Sequence, residues 1–198
     1  MARRIGMSGD CERVLSFWLD EVGPEGWWKP DPDLDRLIRS RFVDLWDDAV
    51  ADALWHWMHH PRGSLALIVL VDQFPRNMFR GHAAAFQSDP LARRAAKYAL
   101  DRGHDLAVDE PGRQFFYLPL EHSESLQDQN RAARLMMTRL PAISPEGVDA
   151  CLRHREVIRR FGRFPSRNAA LGRPDTLAEL AYRAEGGYMS GAPGSGPG

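Results

Sequence analysis

Glu121-His122-Ser123-Glu124 crowds acids, an imidazole and a hydroxyl together, directly after the aromatic and apolar run Phe115 to Leu120. With the distant His154, these are the residue types of a metal site with an open position, or of a general base working near neutral pH. The spacing supports this only weakly. His122 and Glu124 stand two apart, which on one helix turns them to different faces, although Pro119 and Ser123 mark a helix boundary where that rule relaxes. No GxSxG, HExxH, P-loop or GxGxxG pattern occurs. Metal-assisted hydrolysis through His122, Glu124 and His154 is the one reaction these residues suggest. On balance the sequence argues against an enzyme, and it names no metal and no cofactor.

A second set of polar residues lies in two passages that read alike, Phe74-Pro75-Arg76-Asn77 and Phe164-Pro165-Ser166-Arg167-Asn168. Each sets a proline directly after an aromatic anchor, which ends or redirects a helix, and then presents Arg and Asn. Asp72, Gln73 and Arg80 flank the first; Arg163 and Gly172-Arg173 flank the second. Two uses of these groups are open beside the metal-enzyme alternative. They can satisfy one another, with Asp72 or Glu121 paired to Arg76, Arg163 or Arg167 and with Asn77 or Asn168 capping amides, so that they lock helix joints. Alternatively, if guanidinium groups outnumber carboxylates in one concavity, Arg76, Arg80, Arg163, Arg167 and Arg173 with Asn77 and Asn168 form a site for a peptide segment or small anionic ligand. That binding module is the function the sequence favours, with Asp72 and Glu121 as supporting carboxylates.

The blocks that carry these groups resemble the bacterial domain of unknown function 924 family from about Val14 to about Tyr182. They are Val14-Leu15 with Phe17-Trp18; Leu65-Ala66-Leu67 through Asp72-Gln73-Phe74-Pro75-Arg76-Asn77; Ala85-Phe86 with Asp89-Pro90-Leu91-Ala92; Phe115 through Glu124; and Phe161-Gly162-Arg163-Phe164-Pro165 with Arg167-Asn168 and Leu171-Gly172-Arg173. The resemblance implies an all-α, tetratricopeptide-like fold and brings no established reaction with it. Members often carry His where this chain has Ser166, so a role needing an imidazole there does not transfer.

The elements that must position these residues read as helices. From Leu34 the apolar residues Leu37, Ile38, Phe42, Leu45, Trp46, Ala49, Val50, Ala53, Leu54 and Trp57 follow the stripe of an amphipathic helix, one long or two with a kink. Asp31-Pro32-Asp33 marks its start and His59-His60-Pro61-Arg62-Gly63 its end. Leu65 to Val71 has no second strand-like run to pair with, so it reads as a central helix apolar on most sides. Ser88-Asp89-Pro90 opens the next. Pro119 is expected to distort or end an aromatic helix over Arg113 to Leu118, and Ser123 to cap the one after it. Ser144-Pro145 opens another helix, Gly162 closes it, and Thr176 with Glu179 forms a capping-box pattern before a last short one. Short connections favour antiparallel pairs stacked into a compact, right-handed array without a strict repeat period. The expected organisation is a flexible start at residues 1–8, one helical domain over 9–187, and a disordered Gly/Pro/Ser tail over 188–198.

Composition agrees with a single globular domain: 198 residues, 43% apolar and 10% aromatic. The longest apolar run falls far short of the roughly 20 residues that cross a bilayer, and the first residues hold no apolar signal core. The protein is therefore expected in the cytoplasm, away from membranes. Cys11 and Cys151 are read as buried free thiols. Residues 149–183 hold eight arginines against four acids, while residues 1–60 hold twelve acids against seven bases. That surplus is smaller than a phosphate-tracking surface needs, which argues against nucleic acid as a partner. Oligomeric state has no signature. Trp27-Trp28 reads either as a partner surface or as the cap of the array, one of Trp55 and Trp57 as exposed, and His56, His59 and His60 as a solvated helix end.

Overall fold

The computed structural model describes residues 7–188, and every regular element among them is helical. The segments expected to be flexible lie outside those bounds except for Met7, Ser8 and Tyr188. Met7 opens α1 (Met7–Leu15), which runs into a wider π-type stretch, Ser16–Val22, and the short α2 (Gly23–Gly26). Phe17 and Trp18 are buried there, and the Trp27 Nε1 donates to the Trp18 carbonyl at 2.7 Å, which turns Trp27 inward and leaves Trp28 outside it.

α3 (Pro32–Val50) starts as its sequence dictates: the Asp31 carboxylate accepts from the Asp33 and Leu34 amides, with Pro32 in the first turn. Its stripe of Ile38, Phe42, Leu45, Trp46 and Ala49 is buried. The stripe does not carry the helix on to Trp57, however. Asp52 adopts a left-handed φ of 63°, which breaks the ladder, and Trp55–His59 forms a separate 3-10 turn. Trp57 is buried there, whereas Trp55 is half-buried beneath the Arg94 guanidinium, and His56, His59 and His60 are exposed.

The central helix is α4 (Pro61–Ile68), a π-type stretch Val69–Gln73, and α5 (Phe74–Met78), with all of Leu65 to Val71 in the core. Gly63 lets α4 begin against the preceding turn, since a Cβ there would stand 2.2 Å from the Trp57 carbonyl oxygen. α6 (Asp89–Asp101) turns Ala92, Ala95, Ala96 and Ala99 inward, and these small side chains allow close approach to α4. Two 3-10 turns, His104–Ala107 and Gly112–Phe116, lead into α7 (Leu118–Glu121). Pro119 sits in the first turn of α7, so it starts a helix where the sequence suggested that it ends one.

α8 (Leu126–Arg139) packs along α9 (Pro145–Phe161). Ser123 does not cap α8: its hydroxyl donates to Asp128 at 2.9 Å and accepts from the Ser125 amide, tying the turn from α7 instead. α9 opens on the Ser144 cap and closes at Gly162, whose φ is 69°. A 3-10 turn, Pro165–Arg167, and α10 (Leu177–Ala184) complete the chain, and the Thr176–Glu179 capping box is present. The main apolar core spans α1 to α9; Val157, Ile158 and Phe164 form a second, smaller cluster with Phe161, Tyr182 and Tyr188. No described helix is long and apolar enough to cross a membrane.

Candidate functional site

The π-type stretch before α5 directs Asp72 into the interior, where only 1% of it is exposed. Arg76, one turn on, lies 3.4 Å from Asp72 Oδ1 and donates to Asp89 Oδ1 at 3.0 Å. The other Asp89 oxygen accepts from Arg167 at 3.0 Å, so one carboxylate at the start of α6 bridges the two sequence elbows. Arg167 also donates to the His122 carbonyl, and its guanidinium is held between the Phe86 and Phe164 rings, 4.6 Å from each centroid. Burial, and then Arg76 beside it, bring the Arg167 pKa down to about 10.

The other predicted arginines are equally engaged, at separate places. Arg80 grips Asp35 with two bonds of 2.8 Å, and the Asn77 amide donates to the same carboxylate. Arg173 pairs with both oxygens of Glu124, while Glu124 also accepts from the Phe164 amide. Arg163 pairs with both oxygens of Glu179, and Asn168 donates to Asp175 at 2.7 Å. Neither asparagine side chain caps a helix amide; both bind carboxylates. Arg76 and Arg167 thus converge, while Arg80 with Asn77 and Arg163 with Arg173 and Asn168 belong to outer joints.

In front of the central joint lies a cavity of about 420 Å³ between α7, α8 and α9. Leu118, Met136, Leu140 and Ile143 give it an apolar wall, Trp28 a further aromatic one, and Glu121, His122, His154 and Tyr188 a polar end. The His122 Nδ1 lies 2.9 and 3.0 Å from the two Asp72 oxygens. The His154 Nδ1 lies 2.8 Å from Glu121 Oε1 and 2.9 Å from the Ala150 carbonyl. The rings are 6.4 Å apart, centre to centre.

The charge states follow from this setting. Burial works to raise the Asp72 pKa, but Arg76 and His122 outweigh it and hold the carboxyl at about 2. Glu121 is held low in the same way, against burial, chiefly by His154. His122 is pushed below the ordinary imidazole value by burial and then by Arg76, with Asp72 opposing. Asp72 therefore fixes the His122 ring with its proton on Nδ1, and Glu121 accepts from the Nδ1–H of His154. The Tyr188 ring stands edge-on to His154 at 5.1 Å, and its hydroxyl is buried without a hydrogen-bond partner.

Of the acid–base candidates, the fold unites Glu121, His122 and His154 and draws Glu124 away to Arg173. No group of three or more His, Cys, Asp or Glu among the described residues is arranged to hold a metal ion. Sequence reasoning missed Tyr188, which sits at the edge of the expected tail, and the apolar wall, whose residues read only as ordinary core.

An all-helical protein with a buried guanidinium joint behind a half-apolar cavity is the class that this architecture defines. The chain belongs to the family of bacterial proteins of unknown function (DUF924), whose model matches residues 14–187. A solved structure of a protein of unknown function from Agrobacterium tumefaciens is similar, with 40% identity and a TM-score of 0.83, covering 88% of this chain and 97% of the other. No curated protein matches the sequence.

Proposed function

We propose that the protein is a binding module for a small organic molecule with a mainly apolar body, seated in the cavity between α7, α8 and α9. The observation that carries this reading is the cavity itself, an apolar wall with a polar end made by Glu121 and two imidazoles whose Nδ1 atoms are already anchored. A ligand of this kind would lay its body on Leu118, Met136, Leu140 and Ile143 and set its polar group at that end. The volume of about 420 Å³ falls within the range of about 300–1,000 Å³ usual for such sites. A peptide or anion at the Arg/Asn elbows would first have to displace Asp89, Asp35, Glu124 or Glu179, which makes the elbows the weaker choice. The tetratricopeptide-like pairing implied by the resemblance is part of the proposal: α8 and α9 act as one such pair, and the turn that joins them supplies Leu140 and Ile143 to the apolar wall.

The test is a thermal-shift screen of small apolar-bodied compounds on the wild-type protein and on Ala150→Leu, which fills the cavity from α9. Compounds that stabilise the wild type and leave Ala150→Leu unmoved are the expected result. Shifts that persist in Ala150→Leu would send the binding site elsewhere.

A further inference from the structure

We infer that the ligand of this cavity carries a positively charged amino head on its apolar body; this rests on the cavity being the ligand site. The residues that line it include Glu110, Glu121 and Glu146, and neither Arg nor Lys is among them. Arg153, 5.6 Å from the Tyr188 ring, is paired with Asp149, and Arg76 and Arg167 are committed to Asp72 and Asp89 behind His122. Asp72 and Asp89 are matched by these two arginines, whereas buried Glu121, in the cavity wall, is paired with His154 and has no Arg or Lys partner.

The hydrogen-bonding sense agrees with the charge. With its proton on Nδ1, neutral His122 accepts at Nε2, and the ionised Glu121 only accepts. An ammonium group, which has three donors and no acceptor, matches such a wall, whereas a carboxylate would meet lone pairs and a like charge. The exposed Trp28 ring in the cavity wall offers a face to a cation. The apolar wall of Leu118, Met136, Leu140 and Ile143 takes the body of the molecule.

Calorimetric titration of the full chain at pH about 8, where an alkylamine is protonated and imidazole is neutral, distinguishes the possibilities. The probes are phenylpropylamine, phenylpropanol and phenylpropanoate, which share one body. The amine should bind about tenfold or more tighter than the alcohol, a gap typical of one charge-assisted contact, and the carboxylate should not bind measurably. Glu110→Gln and Glu146→Gln, at the more open part of the wall, should each weaken the amine by about two- to fivefold and leave the alcohol unchanged. Glu121→Gln, checked for folding by circular dichroism, should remove most of the preference for the amine. Alcohol or carboxylate binding as tightly as the amine would overturn the cationic head while leaving the cavity as the site. Failure of all three probes, or equal binding of all three to Ala150→Leu, would overturn both.

Discussion

The guanidinium joint and the imidazole cavity share His122, yet their polar groups are in opposite conditions. In the joint each guanidinium has at least one carboxylate partner, and Asp89 serves two of them. In the cavity wall His122 and His154 are pinned through Nδ1, by Asp72 and Glu121, and among the described residues no hydrogen-bond partner holds the other ring nitrogen. The residue types most suggestive of binding, five arginines and two asparagines, are the ones the fold has already satisfied. Chemistry available to a ligand is marked by missing partners rather than by the density of charged side chains.

This contrast fails most visibly if the joint can be dismantled cheaply. Arg167→Ala leaves Asp89 and its neighbours partly unpaired in the interior, and the expected loss is about 3–5 kcal/mol, read as a lower denaturant midpoint. A change within about 0.5 kcal/mol would mean that Arg167 is free for another role. A smaller effect is expected from acid. His122 has a depressed folded pKa, so its contribution is complete above the unfolded imidazole value and declines as pH falls from there through the folded one. Asp72, lowered from 3.8 to about 2, then adds a second loss on the order of 2 kcal/mol as pH falls from about 4 to 2. Urea denaturation across pH should show both declines, and replacing His122 with Gln should remove the upper one.

Smaller still is the cost at the outer joint. The Arg80 to Asp35 pair is partly open to solvent, so Arg80→Ala should cost about 1 kcal/mol, and a loss as large as that of Arg167→Ala would erase the distinction between inner and outer pairs. On the cavity side the sign reverses. Tyr188→Phe deletes an unpartnered buried hydroxyl and should leave stability unchanged or raise it by up to about 1 kcal/mol. Destabilisation by Tyr188→Phe would show that the hydroxyl has a partner after all.

The local grammar of the helices was legible in the sequence. The Asp31 and Ser144 caps, the Thr176–Glu179 box, the Gly162 stop and the stripe of α3 each depend on neighbours within a few residues, and all are present. The break at Asp52 was not, because the apolar period continues through it and only the backbone's left-handed turn interrupts the helix. Nor was the π-type stretch Val69–Gln73, whose wider turn re-aims Asp72: Pro75 marks a disturbance just after it, but a proline there reads equally as a plain helix end. The candidate arginines could be picked out by type, but their carboxylate partners lie up to 78 residues away along the chain, as Asp89 does from Arg167. Pairing at that separation is a property of the packed helices. His122 and His154 were visible as chemistry, and their convergence depended on α9 lying across α7.

The most direct test of the division between scaffold and site is a nitrogen-resolved NMR titration of the wild-type protein with phenylpropylamine. It would follow the imidazole nitrogens of His122 and His154 and the guanidinium Nε–H signals of Arg76, Arg167 and Arg173 in the same sample. The ring-nitrogen resonances of both histidines should shift on titration, while the arginine signals stay where they were. Movement of the arginine signals with stationary imidazoles would put the ligand at the joint and contradict the account.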